Sequence, residues 1–444
     1  MRIQGSLSSH EGIGFGIFYF SSGTGRSRGP IAFRRTLVRF SRLVPVGCQQ
    51  GDRPIFLSRV KVQTGEDGDG LSEDTTVSYS GFYEPDGIRG GILRRAGGDS
   101  RDQQVSPVIP ARLVSELKLN GGELIEVLVN SREMQQRVVL QTLEAFVSID
   151  GRDIDDHHDF VRMEDLPRAE ISQRLEFSTE GGPLAMRILD LFTPLGLGQS
   201  GLLVSEPGSG KTILLQQIAN AMSERHSAVE VMILLLGEKP EEVTDIERSI
   251  PGMVISSSSY QGSKGHLRTA ELTLMRARRL VEAGKDVFVI IDSLTELARA
   301  YNAEVRDPQR IIDVDLSPVA IDRTLEVLHS SVAIEDGGSL TILASVSVGT
   351  GSELDEMIFE AVRSSEGMEV FLSTELASLR IWPAIDIERS APGAAGELLD
   401  KQQLELAEDF RKKLSGGAVE KKLPALHKKL RKYESNGELL KSTT

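Results

Sequence analysis

The sequence predicts an α/β protein: a domain built on a central parallel sheet around a phosphate-binding loop, preceded by a small β-rich domain. Three observations carry this. The segment Glu206-Pro207-Gly208-Ser209-Gly210-Lys211-Thr212 lies between a short apolar run and an amphipathic stretch, the order strand, glycine loop, helix that a phosphate cradle needs. From about residue 184 onward, apolar runs of strand length alternate with stretches of helical period, as in a parallel sheet covered on both faces. From about 77 to 161 the runs are short, alternating and split by Gly and Pro, as in a small β domain.

The chain has 444 residues, enough for two or three domains at ~150 residues each. Apolar residues make up 39% and charged residues 26%, a balance that supports a buried core. No apolar run approaches the ~20 residues of a membrane span, so no membrane association is expected. The single cysteine, Cys48, excludes an intramolecular disulfide and fits a reducing cytoplasm. The apolar stretch 13–20 is broken by glycines and lacks the flanks of a signal peptide, and Val46-Gly47-Cys48 follows no long apolar run, so neither reads as a leader. The expected location is cytoplasmic. The formal charge of −14 works against non-specific nucleic-acid binding.

Expected boundaries are an irregular extension and linker over 1–75, a β-rich domain over 76–165, and the phosphate-loop domain over 166–444. The extension is rich in Gly, Ser and Arg, and 65–73 is an acidic, Gly-rich linker. Asp67 and Asp69 match the start of a calcium loop, but the later ligands are out of place. In the β-rich domain, 124–129 and 138–143 read as strands and 110–119 as one short helix. His157-His158-Asp159 reads as a solvated loop rather than a metal cluster, because adjacent strand residues face opposite ways. In the last domain the expected strands are 201–204, 231–236, 287–291, 340–346 and 368–372. The tail 397–440 is charged and helical in period.

Small residues in 205–210 let backbone N–H groups turn onto phosphate oxygens. The first motif position is Ser205 or Glu206 rather than Gly. A helix starting at Lys211 would present Leu215, Ile218 and Met222 to the core and its positive end to an anion. Lys211 is placed to reach the β- and γ-phosphates of ATP, and the Thr212 hydroxyl to hold Mg²⁺. A plain Gly-rich strand–helix turn is the alternative. Asp292, ending the run 287–291, is the expected second Mg²⁺ ligand; the alternative is an Asp that caps the next helix. Glu238, directly after 231–236, is the candidate to polarise the attacking water. Glu241 and Glu242 fit the first turn of the following helix, where negative charge is favourable.

Several separated segments carry a family pattern: Ile188-Leu189-Asp190-Leu191-Phe192-Thr193-Pro194-Leu195-Gly196-Leu197-Gly198-Gln199-Ser200-Gly201-Leu202, Pro240-Glu241-Glu242-Val243-Thr244, Asp292-Ser293-Leu294-Thr295, Leu297-Ala298-Arg299-Ala300-Tyr301-Asn302, Gly337-Gly338-Ser339-Leu340-Thr341-Ile342 and Pro383-Ala384-Ile385-Asp386. Over about 77–440 the sequence resembles the bacterial transcription termination factor Rho family, hexameric RNA-dependent ATPases and RNA translocases. The resemblance implies an OB or cold-shock-like RNA-binding domain and a RecA-like motor, with RNA, RNA polymerase and further copies of the chain as partners. It implies ATP contacts from Gly196, Leu197, Gly198, Gln199, Ser200 and Gly201, from Gly208, Ser209, Gly210, Lys211, Thr212 and Ile213, and from Lys239, which replaces a usual arginine. It also implies that Trp382 packs on adenine and that Arg380 belongs to the nucleotide pocket.

The sequence departs from the family at four places. Gly393 occupies the arginine-finger position, with Arg389 nearby. The channel loop Ile312-Asp313-Val314-Asp315-Leu316-Ser317 is acidic. Glu353 follows Gly351-Ser352 where lysine is usual. Arg89-Gly90-Gly91-Ile92 replaces an aromatic stacking stretch, with Phe82 and Tyr83 as candidate substitutes. Carboxylates facing a phosphate backbone repel it. Two alternatives therefore stand beside a Rho-type translocase: a ring ATPase that has lost RNA translocation, and a nucleotide-regulated assembly protein without turnover.

Overall fold

The computed structural model describes residues 7–10, 13–20, 34–39, 59–60, 75–87, 90–95, 106–134, 138–152, 161–171, 173–305, 315–363, 367–393, 398–415 and 419–443. Cys48, the linker 65–73, Arg89, His157-His158-Asp159 and 312–314 lie outside them. The chain divides into two compact units, Met1–Phe160 and Val161–Thr444.

The first unit opens with β1 (Leu7–His10), β2 (Ile13–Phe20) and β3 (Arg34–Arg39), an antiparallel sheet in that order. This corrects the expected irregular start: the β2 sequence IGFGIFYF is rich in aromatic and β-branched residues, which favour strands despite its glycines. The second sheet contains β4 (Arg59–Val60), β5 (Thr75–Pro85), β6 (Gly90–Arg94) and β7 (Val108–Pro110), then, after α1 (Ala111–Glu116), β8 (Leu124–Met134) and β9 (Val138–Ile149). Its strand order is β7-β6-β5-β8-β9, with β4 on β5, all antiparallel. The end strands β7 and β9 touch, so the sheet curls as a barrel does.

The core of this sheet includes Tyr79, Tyr83, Leu93, Ile125 and Val127. Phe82 is 3% and Tyr83 1% exposed. The Tyr83 hydroxyl donates to the Gly90 carbonyl at 3.2 Å. A Cβ at Gly91 would stand 2.4 Å from the Tyr83 ring, so the glycine is a packing requirement. Phe82 and Tyr83 therefore do not offer free ring faces to a base; the sequence expectation fails because β5 lies between β6 and β8 with both rings buried, Tyr83 against the close β6 backbone.

The second unit holds β10 (Arg174–Leu175), α2 (Leu184–Phe192), β11 (Leu195–Gly196), β12 (Ser200–Ser205), α3 (Lys211–Arg225), β13 (Glu230–Leu236), α4 (Pro240–Ser249), β14 (Met253–Ser257), α5 (Gly262–Glu282), β15 (Asp286–Asp292) and α6 (Leu294–Glu304). It continues with α7 (Pro318–His329), β16 (Val332–Ala333), β17 (Ser339–Ser347), α8 (Glu353–Val362), β18 (Met368–Leu372), α9 (Thr374–Ser378), β19 (Ile385–Ala391), α10 (Lys401–Leu414), α11 (Val419–Leu430) and α12 (Asn436–Thr443). The main sheet runs β14-β13-β15-β17-β12-β18-β19. From β14 to β18 every neighbour is parallel; β19 is antiparallel to β18.

Alternation sends successive side chains to opposite faces. Leu203, Ile233, Leu235 and Ile290 join one core with α2, α3 and α10–α12. Leu202, Leu234, Val289 and Ile342 join the other with α5, α6 and α7. All five expected strands are present, each within a residue of its expected ends; β14, β19 and the short β16, which pairs with β17, were not foreseen. The β14 sequence MVISS is only partly apolar, which hid it. The helix α3 jumps from β12 to β13, leaving room for β17 and β15 between them. Such a reversal of strand order opens a crevice at the carboxyl ends of the strands.

Candidate nucleotide site

The loop after β12 is built by its glycines. Gly208 has φ +78° and Gly210 φ +93°, values that side chains rarely adopt. The Ser209 hydroxyl and N–H both donate to the Glu206 carbonyl, at 2.6 and 3.2 Å, closing the turn. A Cβ at Gly208 would meet no atom within 4 Å, so this glycine answers to backbone conformation and not to crowding. The first N–H groups of α3 have no acceptors within their own helix and face the loop with a positive dipole end. Thr212 and Ile213 are exposed in that first turn.

Glu206, one of the two candidates for the first motif position, is a tie. Its Oε2 accepts the Thr374 N–H at 2.9 Å, and the Thr374 hydroxyl donates to the Pro207 carbonyl at 3.0 Å. The loop is thereby fastened to the start of α9. Past α9 the backbone turns at Arg380 (φ +59°) and presents Trp382, 44% exposed, against Gly210. Arg380 is exposed beside it. Arg389 stands 4.4 Å over the Phe371 ring, and Gly393 has φ +56°.

Lys211 leans from α3 across the crevice. Its ammonium donates to Asp292 Oδ1 at 2.5 Å and lies 3.6 Å from Glu238 Oε1. Asp292 ends β15 and is 1% exposed; its Oδ1 also accepts the Ser345 hydroxyl of β17 at 2.6 Å. Asp292 is not a helix cap: Ser293 caps α6, accepting from the Glu296 N–H. Burial works to lower the Lys211 pKa, but attraction and hydrogen bonding to Asp292, then Glu238, outweigh it and raise it. The ammonium form is held.

Glu238 follows β13, and Glu242 sits in the first turn of α4. Burial pushes the Glu238 carboxyl up to about 7, helped by a hydrogen bond with Glu242 and by the charges of Asp292 and Glu242, with Lys211 opposing. Burial likewise raises Glu296. Lys239 is exposed at the cap of α4. The structure thus brings Lys211, Asp292 and Glu238 together although two strands separate β12 from β13. It also sets Ile213 and Thr212 at the loop and Trp382 and Arg380 beside it.

It does not bring 196–201 to that loop. These residues lead into the amino end of β12, whose six residues at ~3.3 Å each put the phosphate loop at the far end. Their glycines answer to packing instead. The Gly198 N–H donates to the Thr341 hydroxyl at 2.8 Å, and a Cβ there would stand 2.5 Å from the Ala333 nitrogen. Gln199 accepts the Gly196 N–H at 2.9 Å.

Sequence reasoning missed Ser345, Glu242 and the Glu206–Thr374 tie. A fully buried serine within the apolar β17 was the one available signal. It also missed a brace behind the 349–352 turn: Arg299 of α6 donates to Asp355 at 2.7 Å and to Ser352 at 3.0 Å, and Thr350 to Asp355 at 2.6 Å. Glu353 is exposed at the start of α8, and Asp315 is exposed before α7.

Residues 185–392 match the ATP synthase alpha/beta family, nucleotide-binding domain. A solved structure of an ATPase from the type III secretion system of pathogenic bacteria aligns with a TM-score of 0.50 at 22% identity, over 64% of this chain and 78% of that one; it shows the shared fold. Among the described residues no helix is long and apolar enough to cross a membrane. The chain is 33% identical to transcription termination factor Rho of Thermotoga maritima over 88% of this chain and 89% of that protein. It is 38% identical to the Bacillus subtilis factor over 69% and 71%, and 35% identical to the Micrococcus luteus factor over 79% of this chain and 49% of that protein. It thus spans about half the length of the last relative and most of the first two. With the phosphate loop, the carboxylate-ended β15 and the parallel sheet in place, this similarity is decisive: the chain belongs to the transcription termination factor Rho family.

Proposed function

We propose that this chain is an ATP-hydrolysing, RNA-directed motor of the Rho type, working in the cytoplasm as a ring, expected to be a hexamer, on nascent RNA and ultimately against RNA polymerase. The placement of Lys211 between Asp292 and Glu238 at the glycine loop carries the reading. In it, 208–213 cradle the phosphates of ATP, Lys211 turns its ammonium to the β- and γ-oxygens, and Trp382 packs on the adenine with Arg380 and Lys239 at the rim.

The oxygen donors fit Mg²⁺. Asp292 is a buried carboxylate and Thr212 an exposed hydroxyl, the sparse protein ligation typical of Mg²⁺ held largely by phosphate and water. Bound there, Mg²⁺ would neutralise charge on the phosphate oxygens. Ser345 keeps Asp292 Oδ1 oriented. Glu238, when ionised, accepts a proton from the attacking water, and Glu242 sets the pH at which it does so. The 196–201 segment supports this site from the amino end of β12.

The exposed carboxylates Asp315 and Glu353 favour a second reading, a ring ATPase whose hydrolysis does not depend on RNA. One experiment separates the two: ATP turnover by the full chain with and without RNA. Strong stimulation supports the motor, and equal turnover the second reading. Saturable ATP binding without turnover in either condition overturns both in favour of an assembly protein.

A further inference from the structure

We propose that the exposed face of α11 and the turn after it bind the phosphate backbone of a single-stranded nucleic acid. The charge distribution points there. The whole chain has 51 Lys and Arg against 65 Asp and Glu, yet 401–443 holds eleven basic residues against six acidic ones. Six of those basic residues fall in 421–432.

The fold uses two of the six. Lys422 donates to the Leu414 and Ser415 carbonyls, and Lys429 lies 4.8 Å over the Phe410 ring. Leu423, Leu426 and Leu430 bury the inner face. The other four, Lys421, Lys428, Arg431 and Lys432, are exposed. The Arg431 and Lys432 N–H groups still donate back to His427 and Lys429, so helical register continues past α11. Positions 421, 428, 431 and 432 then share one face.

Neighbouring α10 shows what a merely solvated basic face looks like in this protein. There Lys401, Lys412 and Lys413 each pair with a carboxylate four residues earlier or later, Glu405, Glu408 and Asp409. On α11 the four exposed cations form no ion pair among the described residues. Like charges at these spacings repel; the negative end of the α11 dipole offsets this for the cations in and after its last turn, but not for Lys421 at its start.

Four cations over the twelve residues 421–432 occupy roughly 16 Å of one line, at ~1.5 Å of rise per residue. A single strand of phosphates matches such a line, and displacement of its condensed counterions supplies the affinity. An acidic protein surface, whose carboxylates are scattered rather than strung along a line, lacks that counterion layer, and exposed ion pairs with it contribute little. This surface is additional to the nucleotide site and to the channel loops, and includes no residue of either.

The test is fluorescence anisotropy of a labelled oligouridylate with the full chain across a KCl series. In the variant K421Q/K428Q/R431Q/K432Q, the slope of log affinity against log salt is expected to fall in magnitude by about 3, at ~0.7 per lost cation. In K421R/K428R/K432R the slope stays at the parent value. A parent slope in the glutamine variant, with an unchanged unfolding midpoint, overturns the proposal, as does absence of oligouridylate binding by the parent. Competition by polyglutamate as effective as by unlabelled oligouridylate overturns it in favour of an acidic polypeptide. RNA-free ATP turnover is read on the same variant and is expected to stay at the parent rate, so failure of this surface is distinguishable from failure of the nucleotide reading.

Discussion

The indole of Trp382 lies against Gly210: a Cβ at that glycine would stand 2.8 Å from Cζ3 of the ring. Gly210 also has φ +93°, so a side chain there is opposed by backbone and by neighbour alike. Trp382 is the sole tryptophan and hence a reporter at the phosphate loop. ATP is expected to change its emission saturably. Gly210→Ala should weaken that binding by about tenfold or more, since both the loop and the ring must shift. Parental affinity in the variant would separate the ring from the ligand.

Lys211 and Asp292 form a largely buried pair. Removing one member leaves the other's charge without its partner, a cost of about 3–5 kcal/mol for fully buried pairs; with Lys211 about one-fifth exposed, the lower end applies. Lys211→Ala is expected to abolish hydrolysis, weaken ATP binding and lower stability. Adding Asp292→Asn should restore much of the stability and none of the turnover. Denaturant unfolding and ATPase rate on the same samples check this. Strictly additive losses of stability would show that the two side chains do not act as a pair.

A Glu238 carboxyl raised to about 7 makes hydrolysis pH-dependent near neutrality. In the proposed role the ionised form accepts the proton, so kcat/KM should rise with pH through a midpoint near 7 and fall away below it. Glu238→Gln should slow hydrolysis while sparing binding. Glu242→Ala removes a hydrogen-bond partner and a like charge that both raise Glu238, so the acid limb should move to lower pH. An unmoved limb would assign the titration to another group.

What was legible in the sequence was local. The glycine loop, the Lys-Thr pair and Asp292 occupy contiguous segments whose placement follows from strand, turn and helix geometry, and buried strands such as β13 announce themselves as unbroken apolar runs. What was not legible depends on strand order. Ser345 meets Asp292 because β17 pairs with β15, and Thr374 holds Glu206 because β18 pairs with β12. Glu242 read as a helix-dipole residue, which its position supports; that it also faces Glu238 follows only from the turn between β13 and α4. Phe82 and Tyr83 show the converse error, where residue type suggested an exposed role and burial, for Tyr83 against Gly91, decided otherwise.

His427 offers a stability test away from the site. It is 4% exposed on α11, and its Nε2 has no hydrogen-bond partner among the described residues. Burial, then the nearby Arg431 charge, lowers its pKa to about 4, against ~6.5 in an unfolded chain. Between those values the unfolded state binds a proton that the folded state does not, so stability rises with pH through the window and is lost on acidification. The full loss is about 3 kcal/mol by pH 4. His427→Leu removes the titration while keeping an apolar body among Leu423, Leu426 and Leu430. Its stability relative to the parent should therefore improve steadily as pH falls from 7 to 4, read by denaturant unfolding followed through helical circular dichroism. A constant difference across that range would mean that the imidazole is solvated enough to protonate in place, and that the packing of α11 does not exclude water from it.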